Sequence, residues 1–311
     1  MMIASALALF AVAASGPAGD ARTLAERLGR ARDAKLLIVH ADDLGEWHAI
    51  NGAAFRAFAT GLVNSGSMMV PCPWFPEMAA WAKEHPETDL GLHLTVTSER
   101  TAYRWGPVAS RDRVPSLLDP QGYFRKIQAE ATAAMNAGEV EVELRAQVDR
   151  ALSFGLKPTH LDAHQFVLFD REDLFAALVR VSRAYGIPVS VARNHLESHP
   201  YMASALGPTA PVLDRTFDIP PGVAPEKWGD WYEAELRKIG PGITEIIMHV
   251  GLDDAELQAA TADRPTWGAE WRQRDFDFFT SERFRSLVKE LGLTLVTWRQ
   301  IGALGPPPAA R

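Results

Sequence analysis

Asp42 and Asp43 stand side by side after the apolar run Leu36-Leu37-Ile38-Val39 and shortly before Gly45. Two adjacent carboxylates repel one another, and burying both requires a cation or a shared proton. Successive residues at a strand end point to opposite sides, so the pair is expected to divide its roles: one can bind a metal while the other stays free as a base. A solvated turn or a helix cap explains an isolated Asp-Asp better, so the neighbouring motifs matter. His93 lies on an alternating stretch where Leu90, Leu92, Leu94 and Val96 face one way and Gly91, His93 and Thr95 the other; Gly91 leaves room for something to approach. The strongest signal is Pro158-Thr159-His160-Leu161-Asp162-Ala163-His164-Gln165. With a period of two, His160, Asp162 and His164 share one face of a strand or its exit. Three such groups have no cheap structural explanation, because each needs a buried partner. Two imidazoles and a carboxylate with positions left for water suit a divalent ion at a hydrolytic site. In Glu245-Ile246-Ile247-Met248-His249-Val250-Gly251, His249 closes an apolar run and reads as a proton donor.

The elements that must position these groups alternate along the chain. Strands are predicted at Leu36–Val39, Ser67–Val70, Leu90–Val96, Thr159–Ala163, Ile187–Val191, Glu245–His249 and Leu293–Trp298. Helices are predicted at His48–Thr60, Pro76–His85, Glu139–Phe154, Asp173–Tyr185, Pro225–Ile239 and Ser281–Leu291. Such alternation predicts an α/β fold with a mainly parallel sheet, and the polar strand ends predict a distorted, seven-stranded TIM-like (β/α) barrel with its chemistry at the C-terminal mouth. An open doubly wound sheet satisfies the same alternation. Ser98–Gly122 and His195–Gly222 read as long loops walling the site.

The chain has 311 residues, 47% hydrophobic and 23% charged, which fits one catalytic domain over about residues 33–302 and a flexible Pro-rich tail at 303–311. A net charge of −7 without a basic cluster argues against nucleic-acid binding. The single cysteine, Cys72, excludes a cysteine-rich zinc site and an internal disulfide. Ile3 to Ala14 form an apolar run too short to span a bilayer, so residues 1–21 are expected to be a signal peptide cut between Ala13 and Ala21, although no Lys or Arg precedes it. The mature chain is therefore expected to be secreted or periplasmic, with no membrane-spanning segment. Whether it pairs into a homodimer stays open.

His40-Ala41-Asp42-Asp43-Leu44-Gly45 with Asn51 beyond it, Gly61-Leu62-Val63, Gly91-Leu92-His93-Leu94 and Thr159 to Gln165 together resemble the YdjC-like family of carbohydrate deacetylases, which includes chitooligosaccharide and hopanoid-pathway enzymes. The resemblance runs in order from about Lys35 to Ile301. It implies a TIM-like barrel related to polysaccharide deacetylases, with Asp42 as catalytic base and Asp43, His93 and His164 holding one divalent metal, usually magnesium. The histidine-rich ligand set suits zinc as well. The family usually has Asn at His40, Phe at Leu44, a further His at Phe166 and His-Pro-Gly at His249-Val250-Gly251; these departures bear on substrate rather than on ligands.

The expected reaction is metal-dependent removal of acetyl groups from N-acetylated sugars. His249 is the first candidate to protonate the leaving amine and His160 the second, with Asp162 orienting His160 or His164. Arg193 is expected to meet substrate or Asp42, and sugar contacts are sought among Trp105, Trp228, Trp231, Trp267 and Trp271, at least half of which are expected to pack helices instead. A metal-dependent amidase or esterase on a non-sugar substrate would use the same groups, and an inactive carbohydrate-binding homologue would not need a free Asp42.

Overall fold

The computed structural model describes residues 22–305. The expected signal segment and residues 306–311 of the expected tail lie outside them. Seven strands form one parallel sheet: β1 (Lys35–Leu44), β2 (Ser65–Met68), β3 (Leu90–Leu94), β4 (Leu161–Ala163), β5 (Arg215–Phe217), β6 (Gly242–Met248) and β7 (Thr294–Leu295). Their order is β4-β3-β2-β1-β6-β5, with β7 also on β1. β1 meets β6 along one edge, while β7 at Leu36-Leu37 and β2 from His40 onward share the other.

The sheet curves into a half-barrel, and the expected closed barrel is met only in part. Ile187–Val191 forms no ladder strand; it carries one single bridge, Leu161 to Val189, and the next residue, Ala192, makes another to Leu213. Pro188 accepts from Leu161 N at 2.8 Å but has no N–H to extend the ladder. The strand counted in the sheet is instead β5, inside the stretch read as the loop His195–Gly222, which also holds a short helix at Tyr201–Leu206 and the end of another at Arg193–Ser198. Three residues are too few to show a period. β7 is likewise shorter than expected, because Thr297 caps a helix, Trp298–Gly302.

The six expected helices form, with ends displaced by a few residues, at His48–Ala59, Phe75–Glu84, Ala137–Ser153, Glu172–Tyr185, Trp228–Leu236 and Glu282–Glu290. A further long helix, Ala269–Phe279, was not foreseen. Its buried side includes Arg272 and Asp275 beside Trp271 and Phe278, so charge interrupts the apolar stripe that would reveal it.

The two faces of β1 explain how the site is placed. Leu37, Val39 and Ala41 join the main core with Ala53, Ala54 and Ala57 of the first long helix. Leu36 and Ile38 point the other way, into a second cluster with Ile243, Val296 and Trp298 that plugs the curved sheet from below. Burying each of these two is worth about 1.5–3 kcal/mol. By strand alternation, His40 and Asp42 continue that inner face toward the open end.

Candidate active site

Both carboxylates that follow β1 enter one cavity of about 210 Å³, together with His93, His164, Asp218, His249, Trp267 and Arg272. The expectation that Asp42 and Asp43 point to opposite sides is corrected. The β1–β2 register slips between Ala41 and Leu44, and Asp43 takes φ +63°, which turns it back onto the side of Asp42. Left-handed backbone at a non-glycine residue is costly and persists where its surroundings demand it. Asn51 supports this turn rather than the reaction: its Oδ1 accepts from Gly45 N at 2.8 Å, and its Nδ2 donates to Glu77 at 2.8 Å.

Three groups converge at the cavity floor. Asp43 Oδ1 lies 3.4 Å from His93 Nε2 and 3.3 Å from His164 Nδ1, and the two ring nitrogens are 3.2 Å apart. Each ring is oriented from behind by a carboxylate. His93 stands opposite Asp162 in the β3–β4 register, and its Nδ1 is 2.9 Å from Asp162 Oδ1; His164 Nε2 is 3.1 Å from Glu99 Oε2. Such backing carboxylates fix which nitrogen a histidine offers to a metal. Arg272 Nη2 donates to Asp43 Oδ2 at 2.6 Å, while the buried Oδ1 of Asp43, like that of Asp42, has no donor aligned for a hydrogen bond. A buried oxygen left without a donor between two imidazole nitrogens fits a cation, so the residues present suit a divalent ion.

The charges follow from this packing. Burial works against ionising Asp43, yet Arg272 and the two histidines hold its carboxyl well below the usual range. Burial also pulls His93 down, but Asp162 and Asp42 outweigh it and hold the ring well above the ordinary imidazole value. His249, following β6, donates its backbone N–H to Asp275 Oδ2 at 3.0 Å; burial holds its ring down at about 4 against the charge of Asp43.

Glu46, packed beside Asp43, is pushed up to about 8 by burial and by the Asp43 charge, and its Oε1 has no partner. A carboxyl raised above its ordinary 4.5 contributes stability that is complete below that value and is lost as pH rises toward 8. Glu46→Gln keeps the neutral form, so its stability relative to the parent should improve steadily from pH 5 to pH 8. Denaturant unfolding in chelator measures this, and an unchanged difference between those pH values would contradict the burial of a neutral Glu46.

Other expected site residues are placed differently. His160 is fully buried below the cavity, its ring against Trp298 with centroids 5.4 Å apart. It is also what approaches Gly91, where an added Cβ would lie 2.5 Å from His160 Nε2. The second proton-donor candidate therefore does not line the cavity. Arg193 does not meet Asp42; it is largely exposed and pairs with Asp214 at 3.3 Å. Trp105 is buried, donating to Thr97 O at 2.8 Å, while Trp228 and Trp271 pack edge to face among the helices. Trp267 does line the cavity, at φ +57°, with the Arg264 guanidinium 5.0 Å from its ring centre. Arg272, Glu99, Asp218 and Ser67 were missed. Glu99 and Asp218 sat in stretches read as loops, and Arg272 in the unforeseen helix, so neither motif nor period marked them.

The sequence model of YdjC-like proteins matches residues 36–290. The chain belongs to the YdjC-like family. Within it, a carbohydrate deacetylase of Thermus thermophilus is 33% identical over 290 residues, covering 89% of this chain and 97% of the relative. A carbohydrate deacetylase of Geobacillus stearothermophilus is 29% identical over 269 residues, covering 85% and 96%. A crystal structure from Enterococcus faecalis, described as a candidate cellobiose-phosphate cleavage protein, shares the fold with a TM-score of 0.71 at 24% identity, covering 86% of this chain and 99% of that one. The matched span of this YdjC-like chain includes every residue of the convergent group, and Arg272 with them.

Proposed function

We propose that this chain is a metal-dependent hydrolase that removes acetyl groups from N-acetylated carbohydrates. The observation that carries the reading is the convergence of Asp43, His93 and His164 beneath a cavity that also presents Asp42. The named activity of the relatives supports it. Asp43 Oδ1, His93 Nε2 and His164 Nδ1 would hold the ion, which when bound polarises the acetyl carbonyl and acidifies water. Two imidazoles and one carboxylate favour zinc-class ions over magnesium.

Asp42 accepts the proton of the attacking water. It is fixed at the cavity floor beside His40, with His93 Nε2 at 3.9 Å. The leaving nitrogen takes its proton from His249. Because burial keeps that ring neutral at pH 7, it takes up a proton from solvent as negative charge builds up beside it and passes that proton to the nitrogen, while Asp42 returns the water's proton to solvent. Trp267 and the partly exposed Phe166 offer aromatic faces to a sugar ring, with Gln128 and Asp218 placed to meet hydroxyl groups. Acetate release from N-acetylglucosamine oligomers, glycoconjugates and non-sugar amides or esters, with and without chelator, tests the assignment. No acetate from any N-acetylated sugar, or a full rate in chelator, would overturn it.

Metal uptake is expected to depend on pH. Without an ion, burial lowers His164, but Glu99 and Asp43 more than compensate and hold it at about 9, so it carries a proton at pH 7. A ligand nitrogen must be free of its proton, so binding should release protons and strengthen with rising pH until about 9. Titration calorimetry in buffers of different ionisation heat measures the release, and buffer-independent heats would contradict it. His93→Ala and His164→Ala should each lower metal occupancy sharply.

A further inference from the structure

We propose that His40 is a positioning residue that fixes the Asp42 carboxylate and ties it, through Asp162, to the ring of His93. The proposal rests on the assignment of Asp42 as base. His40 precedes Asp42 by two positions on β1, so both side chains share the inner face. Its Nε2 is hydrogen-bonded to Ser67 Oγ at 3.1 Å and makes ion-pair contacts with Asp42 Oδ1 at 3.0 Å and Asp162 Oδ2 at 3.1 Å. On its far side, Nδ1 lies 3.1 Å from Ser65 Oγ and 3.8 Å from Glu245 Oε1. Ser67 Oγ donates to Asp162 Oδ2 at 2.7 Å, and the other oxygen of Asp162 meets His93 Nδ1. One buried ring therefore joins the proposed base to the carboxylate that orients a proposed metal ligand.

The ring cannot easily turn away. It is 1% exposed, and His160 stands edge-on to it with centroids 5.0 Å apart. Burial disfavours a charged ring here, but Asp162 and Asp42 outweigh it and hold His40 well above the ordinary imidazole value. Among the described residues, the ionisable side chains within ion-pair distance of Asp42 are His40 and His93, and if His93 binds an ion, His40 is the one left to pair with Asp42. An Asn side chain here would be shorter and could not span from Ser65 to both Asp42 and Asp162.

The test combines kinetics with side-chain NMR of the zinc-loaded protein. His40→Asn and His40→Gln should keep the fold and one ion per chain, leave KM within about twofold and lower kcat by about 10²-fold, the scale of a misplaced reacting group. In the otherwise native chain, the Nε2–H signal of His40 should be present and should move upfield in Asp42→Asn, where the carboxylate 3.0 Å from that nitrogen becomes a neutral amide. An unchanged kcat in folded His40→Asn overturns the proposal, and so does a loss of kcat that tracks a loss of metal. A His40 signal indifferent to Asp42→Asn overturns it without reference to turnover. If the native chain releases no acetate while that signal still responds, the functional reading fails and the His40–Asp42 tie stands.

Discussion

Asp42→Asn is expected to retain the metal and the fold and yet lose turnover by roughly 10²–10⁴-fold, the usual worth of a positioned general base. Asp43→Asn is expected to lose the metal. The two carboxylates are neighbours in sequence and share a cavity, but their surroundings differ. Asp43 presents Oδ1 to two imidazole nitrogens and is anchored by Arg272 through Oδ2. Asp42 meets His40 at 3.0 Å and stands 3.9 Å from His93 Nε2, farther than the 3.4 Å of Asp43 Oδ1. An amide is a much weaker ligand than a carboxylate, so the substitution at Asp43 removes the ion, while the same change at Asp42 removes only a proton acceptor. Metal analysis and acetate-release rates on the two variants decide the matter. If Asp42→Asn loses the ion and Asp43→Asn keeps it, the roles are reversed; if both remain fully active, the deacetylase reading fails.

Arg272→Met should destabilise the metal-free protein by about 3–5 kcal/mol, the cost of leaving a buried charge without its partner. The guanidinium is 1% exposed and lies 2.6 Å from Asp43 Oδ2 and 3.4 Å from Glu46 Oε2, while its Nε donates to Trp267 O at 2.8 Å. Methionine fills much of the same volume, which isolates the lost charge from a lost side chain. A divalent ion beside Asp43 would supply part of the missing positive charge, so saturating metal should recover more stability in the variant than in the parent. Denaturant unfolding in chelator and in excess metal measures both. A loss under about 1 kcal/mol in chelator, or an equal loss in both conditions, would show that Arg272 does not hold Asp43 in place.

The motifs Asp42-Asp43, His93 and His160 to His164 were legible because strand alternation is a local rule, but Asp162, expected to orient His160 or His164, is set by the β3–β4 register against His93 instead. The same rule failed at Asp43, where a register slip and a left-handed backbone override the period. It also could not separate His160 from His164. Both lie on the strand face expected, but depth along that face is set by Trp298 at the plug, more than 130 residues away in the chain. Family resemblance supplied the roles of Asp42, Asp43, His93 and His164 without their partners.

What the sequence by itself determined is the alternation of strands and helices, the parallel sheet it requires and the residue types that can hold a divalent ion. Those follow from short-range periodicity and from the chemistry of single side chains. Tertiary structure alone decided which distant groups complete the site: Glu99 behind His164, Arg272 on Asp43, Asp275 on the backbone of His249 and His40 beside Asp42. It also decided that the sheet is joined across residues 187–192 by single bridges while Arg215–Phe217 supplies the strand. The reason is physical: a buried charge is stable only beside a partner, and that partner is chosen by packing in space, which leaves no period in the sequence to read.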